Sequence, residues 1–405
     1  MSRTRNQHAP VHDPDMAFAP DKTACRLLHH FVRRKTAWTL AAALACAFPA
    51  AVTGASLVND ARLTSTFGDG ADNVDLLNRG TITTRGTGMN AGENAFVENA
   101  GTIDVTGPDA RGMSGQDGAI LVNDRTASIT TAQSQGDGIV LSGNTGHLAN
   151  NGSIVSNGPY SAGLHARDTG DLVKNVTLTN NGTIRMEAGS DVGIAADAHG
   201  ARVTNGQTGS IVTNAAQDAG IVAAGDNIHV VNDGTIVVNG DNSFGIAAYG
   251  RASALINNGT ITVNGNGSVA LQAGRNATVT QTGDLLATGK DNTGILINDS
   301  STLVQSGTVT TTASGSDGID GNGNGIHVEN TRLIQTGGDR SNGIHVVGDH
   351  NRIDQSGQID TTGDTSYGIS ARGNRHILVN QGSVTASGAA GGAVFLSGND
   401  NTLDQ

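Results

Sequence analysis

Residues 230–263 read VVNDGTIVVNGDNSFGIAAYGRASALINNGTITV, and the phrase N-x-G-T-I occurs in them twice, with its glycines at Gly234 and Gly259. The two glycines are 25 residues apart. Around each, aliphatic positions alternate with polar ones: Val230 and Ile236 flank Gly234, and Leu255 and Ile261 flank Gly259. A third apolar run, Gly245-Ile246-Ala247-Ala248, lies between them. Each period therefore holds three short runs of strand character, separated by Gly, Asn and Asp turns. β-Branched residues and several glycines per period exclude helix.

The same glycine anchor recurs at Gly80, Gly101, Gly152, Gly182, Gly209, Gly283, Gly307, Gly357 and Gly382, with Ala127 and Arg332 filling the two long gaps in register. A fixed period in this range marks a solenoid, because one such unit cannot bury its apolar face alone. The expectation is a right-handed parallel β-helix of about 13 coils, roughly 25 residues and three short strands each. At about 4.8 Å per coil this is a rod of roughly 60 Å. Two residues after every anchor stands an aliphatic residue, from Ile82 to Val384. Four before it another is usual, with Asn123 and Asn205 as exceptions. Few aromatics suit a narrow coil interior.

Two residues before the anchor an amide recurs: Asn78, Asn99, Asn150, Asn180, Gln207, Asn232, Asn257, Gln281, Gln305, Asn330, Gln355 and Asn380, with Arg125 the one departure. Its parity with the flanking aliphatics places it inside. Stacked amides can donate to one neighbour and accept from the other, so an inward ladder is expected. Glutamine forms turns poorly, which favours the ladder over a simple turn preference.

The chain's ends differ in charge. Residues 1–55 hold seven Lys/Arg and three Asp/Glu, so the formal net charge of −12 becomes −16 on the remainder. Such a surface repels nucleic acid and anionic lipid. Arg33-Arg34-Lys35 followed by an apolar region over about 36–53 has the order of a signal peptide. Residues 1–55 are thus read as a long N-terminal leader, and residues 56–405 as the exported repeat region, not membrane-spanning. Both cysteines, Cys25 and Cys46, fall in the leader, which leaves no disulfide framework or Cys-ligated metal beyond it.

With Asn181-Gly182-Thr183-Ile184, Asn258-Gly259-Thr260-Ile261 and Gly245-Ile246-Ala247-Ala248 in hand, residues 57–405 resemble the passenger region of Gram-negative autotransporters, the type V secreted proteins. The resemblance implies a β-helical stalk at the cell surface, in the outer membrane or outside the cell. It also implies two partners: the protein's own translocator β-barrel, which this chain does not contain, and a host or neighbouring-cell surface. Gly348–Gln355 aligns with Gly398–Gln405 at an offset of 50 residues, so the repeats are expected to break off in mid-coil at Gln405.

No catalytic, cofactor or metal site is expected. Of the histidines beyond the leader, His165 and His345 share an offset within the repeat but lie several coils apart, and solvated outer-face positions are expected for all. Asp339, Asp349 and Asp364 follow glycines, where turn chemistry explains them. The expected function is a non-enzymatic structural stalk or adhesin. The alternatives are a secreted β-helical polysaccharide lyase or hydrolase, which would need charged side chains converging in one cleft, and a two-partner-secreted exoprotein.

Overall fold

The computed structural model describes residues 55–143, 145–167 and 175–405. The apolar leader segment lies outside them. Among the described residues there are strands and no helix, in three sheets of 15, 14 and 13 strands. Every pairing is parallel, and each strand pairs with the equivalent strands of the neighbouring coils. The result is a β-solenoid of about 13 turns, about 25 residues each. No helix of the described residues is long and apolar enough to cross a membrane.

The second sheet shows why the coils stay in register. Thr235–Val238 pairs with Thr260–Val263 so that Ile236 lies on Ile261, and the same column runs from Ile82 through Ile154 and Ile334 to Val384. These side chains are fully buried from Ile82 to Ile359, against the inward columns of the other two sheets. A slip of one residue would turn a whole column outward. The anchor glycine is required by stacking: a Cβ at Gly259 would strike the carbonyl of Gly234 in the coil before it.

The amide ladder occupies the end of the first-sheet strands. Asn59 Nδ2 donates to Asn78 Oδ1, and the same bond repeats through Asn99, Asn123, Asn150, Asn180, Asn205, Asn232 and Asn257 to Gln281 Oε1 at 2.7–2.9 Å. Two positions differ from the sequence expectation. Gln207 is exposed in the corner and Asn205 takes the ladder position. Asn123 likewise belongs to the ladder, where the sequence spacing pointed to Arg125. In both coils the corner between amide and anchor is two residues longer, so counting back from the anchor lands outside the stack. The aliphatic column follows suit, with Leu121 and Val203 in place of the two apparent exceptions.

Glutamine changes the bonding. Its extra methylene carries the amide past its neighbour, so Gln281 and Gln305 each donate to the anchor carbonyl of their own coil, Gly283 and Gly307, at 3.0 Å. The side-chain chain resumes with Asn330 donating to Gln355 at 2.6 Å. Asn380 is only half-buried and its Oδ1 receives no hydrogen bond.

Asn232→Ala takes the acceptor from Asn205 and the donor from Asn257 at once. At about 1–3 kcal/mol per buried polar group deprived of its partner, a loss of about 2–4 kcal/mol is expected in urea denaturation followed by circular dichroism. Asn232→Gln should lose much less, because glutamine already serves the same column.

Candidate functional site on the third sheet

The third sheet departs from simple alternation. Phe244 pairs with Val269 and Ile246 with Leu271, while Gly245 between them is skipped, and the skip recurs at Gly163, Gly193, Gly220, Gly294 and Gly318. The skipped glycine faces inward: a Cβ on Gly318 would meet Ile334 Cγ2 at 2.6 Å. Because two successive residues turn toward the core, residues three apart along the strand emerge on the same outer face, where a regular strand would oppose them.

That outer face has a central column with one residue per coil: Ser114, Val140, His165, Ala195, Val222, Ala247, Gln272, Leu296, Asp320, His345, Ser370 and Phe395. Small members of the column are covered by tall neighbours on both flanks. Phe244 and Tyr249 meet edge to face at 6.2 Å, and Ala247 between them is buried. One end of the face repeats the device, with Tyr367 against Phe395 at 5.0 Å and Arg372 over the Phe395 ring. Ala162, Val192, Ala195, Ala219 and Val222 form a second apolar cluster here, apart from the main core.

Two titratable clusters lie on this face, each built from an aspartate before the skipped glycine and a histidine 28 residues on, in the next coil: Asp137 with His165, and Asp317 with His345. His165 is buried, with Nδ1 3.1 Å from Asp137 Oδ2 and Nε2 3.2 Å from Asp197 Oδ2. Arg167 Nη2 donates to the same Asp137 oxygen at 2.7 Å. A carboxylate oxygen beside each ring nitrogen favours the imidazolium form, in which both nitrogens donate. Burial opposes that charge, but the charge and hydrogen bonds of Asp137, with the bond to Asp197, outweigh it and raise the His165 pKa. Asp137 is likewise penalised by burial, yet His165 and Arg167 hold it well below the usual carboxylate range. With both ring nitrogens and Asp137 Oδ2 on charged partners, and Asp137 Oδ1 accepting the Ala162 N–H at 2.8 Å, this cluster is a staple across three coils.

The second cluster is more open. Asp317, Asp320 and His345 are each about one-fifth exposed, and their ligand-type atoms all lie within 4.8 Å of one another. The skip at Gly318 brings Asp317 and Asp320 to one side. Burial, helped by the Asp320 charge, raises the Asp317 pKa to about 7 against the pull of His345. At the position equivalent to Asp197 stands Arg372.

The histidines therefore do not all sit on solvated outer positions. His165 and His376 are buried, the latter with both ring nitrogens lacking a hydrogen-bond partner, and burial lowers the His147 pKa. The Gly-Asp turns do lie outside, where Asp339 Oδ1 accepts the Asp364 N–H and Asp364 Oδ1 accepts the Ala389 N–H.

A second ladder, between the second and third sheets, was not visible in the anchor pattern. Here the backbone N–H of one coil donates to a side-chain oxygen of the next: Gly136 to Ser161, Ser161 to Asp191, Asp191 to Asp218, Asp218 to Ser243, and onward through Ser268, Asn292, Ser316 and Ser341 to Ser366. Only the acceptor matters, so Ser, Asp and Asn alternate freely and leave no consensus letter. The two aspartates are poorly suited: burial, with the Asp218 charge, raises Asp191 to about 8, and burial raises Asp218 to about 7. Asp191 Oδ2 has no partner.

No protein-family model matches this sequence, and no curated protein or solved structure matches it significantly.

Two predictions follow from these buried charges. His165→Ala removes the cation facing Asp137 and Asp197; breaking a buried pair costs about 3–5 kcal/mol, and the lower end is expected in urea denaturation because Arg167 still pairs with Asp137. Asp191 gains a proton on folding, so its contribution is fully present below about pH 4, the ordinary carboxylate range, and is lost as pH rises through about 8. Asp191→Asn keeps the acceptor for Ser161, as Asn292 does for Ser268. Its melting temperature should exceed the wild type's at pH 8 by more than at pH 5.

Proposed function

We propose that the chain is a secreted or surface-displayed passenger of the type V class, working as a stalk and adhesin and not as a catalyst. Its partners on this reading are its own translocator β-barrel and the surface of a host or neighbouring cell. What supports it most is the placing of the aromatic side chains. Of the seven beyond residue 55, Phe244, Tyr249, Tyr367 and Phe395 stand outward on the third sheet. Elsewhere the charged turns are spent on inter-coil hydrogen bonds. A rigid rod with aromatic and apolar side chains along one face is suited to repeated contact with an extended ligand.

The second reading, a β-helical polysaccharide lyase or hydrolase, is favoured by one observation, the meeting of Asp317, Asp320 and His345. Both readings meet in one experiment with the intact protein on cells and on polysaccharides. Cell binding should fall about tenfold in a Tyr367→Ala/Phe395→Ala variant, a change of about 1–2 kcal/mol typical of an aromatic anchor. Substitution of Thr260 and Thr262, on the second sheet, should leave it unchanged. Unaltered binding in the aromatic variant would remove this face from adhesion, and release of reducing ends or unsaturated sugars would replace the first reading by the second.

A further inference from the structure

We propose that Asp317, Asp320 and His345 form a binding site for a divalent first-row transition ion of the zinc type. In a tetrahedral site with bonds of about 2.0–2.2 Å, neighbouring ligand atoms are about 3.3–3.5 Å apart. His345 Nδ1 lies 3.2 Å from Asp320 Oδ1 and 3.5 Å from Asp317 Oδ2, and the three residues' ligand atoms all lie within 4.8 Å of one another, a set that an ion can draw together.

The oxygens that face the imidazole are also the ones left free. Asp317 Oδ1 is held by Asn342 Nδ2 at 3.0 Å and by the Asn342 N–H. Asp320 Oδ2 is held by Asn322 Nδ2 at 2.8 Å. These amides orient the two carboxylates as outer partners orient the ligands of a metal site. Asp320 Oδ1 is buried and faces the His345 ring nitrogen at 3.2 Å.

Comparison with the other cluster isolates what is special here. Asp137 and His165 repeat the Asp317–His345 pairing, but Val140 stands where Asp320 does. There the second ring nitrogen goes to Asp197 and an arginine completes the charge balance. Around His345 two carboxylates converge on one nitrogen, and Arg372, over the Phe395 ring, lies near enough for its charge to act on the imidazole. A divalent ion with a neutral imidazole balances the two carboxylates once both are ionised. A nitrogen among the donors selects zinc-type ions over calcium and magnesium, which prefer oxygen alone. Three protein ligands and partial exposure leave a fourth position open to solvent.

The test uses untagged full-length protein, stripped with chelator and titrated with Zn2+ in a calorimeter, and with Co2+ under visible spectroscopy. One equivalent per chain is expected to bind, with visible Co2+ bands of tetrahedral intensity. His345→Ala should weaken binding at least 100-fold and Asp320→Asn at least tenfold, each with wild-type circular dichroism, while His327→Ala on the first sheet should leave it unchanged. Should His345→Ala fail to fold, Asp320→Asn and the wild-type Co2+ spectrum decide. Absence of saturable binding would overturn the site. So would an octahedral oxygen-type Co2+ spectrum, retention of full affinity in Asp320→Asn, or equal competition by Ca2+ at the same concentration.

Discussion

Most polar groups in this rod that point inward or into a corner are met by a neighbouring coil, since one coil has no second layer of its own. In the sheets the backbone does this. At the corners the chain turns, strand pairing stops, and side chains take over. Two buried ladders result, one of amides after the first sheet and one of mixed acceptors before the third, and both run through most of the stack. An unmet donor in such a place costs about as much as several ordinary surface contacts contribute. The corners therefore fix the repeat as firmly as the aliphatic columns do.

The ladders also explain which variation the repeat tolerates. Where a side chain must both donate and accept, only Asn and Gln serve, and Gln281 and Gln305 do so by turning to their own anchor carbonyls. Where it must only accept, Ser, Asn and even Asp are found. The aspartates at 191 and 218 fit the acceptor role but not the buried setting, and their raised pKa values record the mismatch.

The third sheet gains its chemistry from the skipped glycine. Turning two successive residues inward leaves the outer face with pairs three apart, and in a coil of 25 residues the partner above lies at 28. Asp137 with His165 and Asp317 with His345 follow that rule. The same device gives one cluster that is closed by ion pairs and another that keeps two carboxylate oxygens directed at a single imidazole nitrogen. Aromatic flanks cover the small residues between them, so a face with no cover from another layer is largely dry.

The period, the three runs per coil, the inward aliphatic columns and most of the amide ladder were determined by the sequence alone, because each repeats at a fixed spacing and has one residue class that fits. Asn205 in place of Gln207 was decided only in three dimensions, since a corner longer by two residues leaves the strands paired while moving the count. The acceptor ladder was hidden because several residue types satisfy it equally. The outward clusters were hidden for another reason: alternation, the rule by which a strand's faces are read, fails at the glycine of the third sheet, and only the packed core shows that this glycine faces inward where a Cβ has no room.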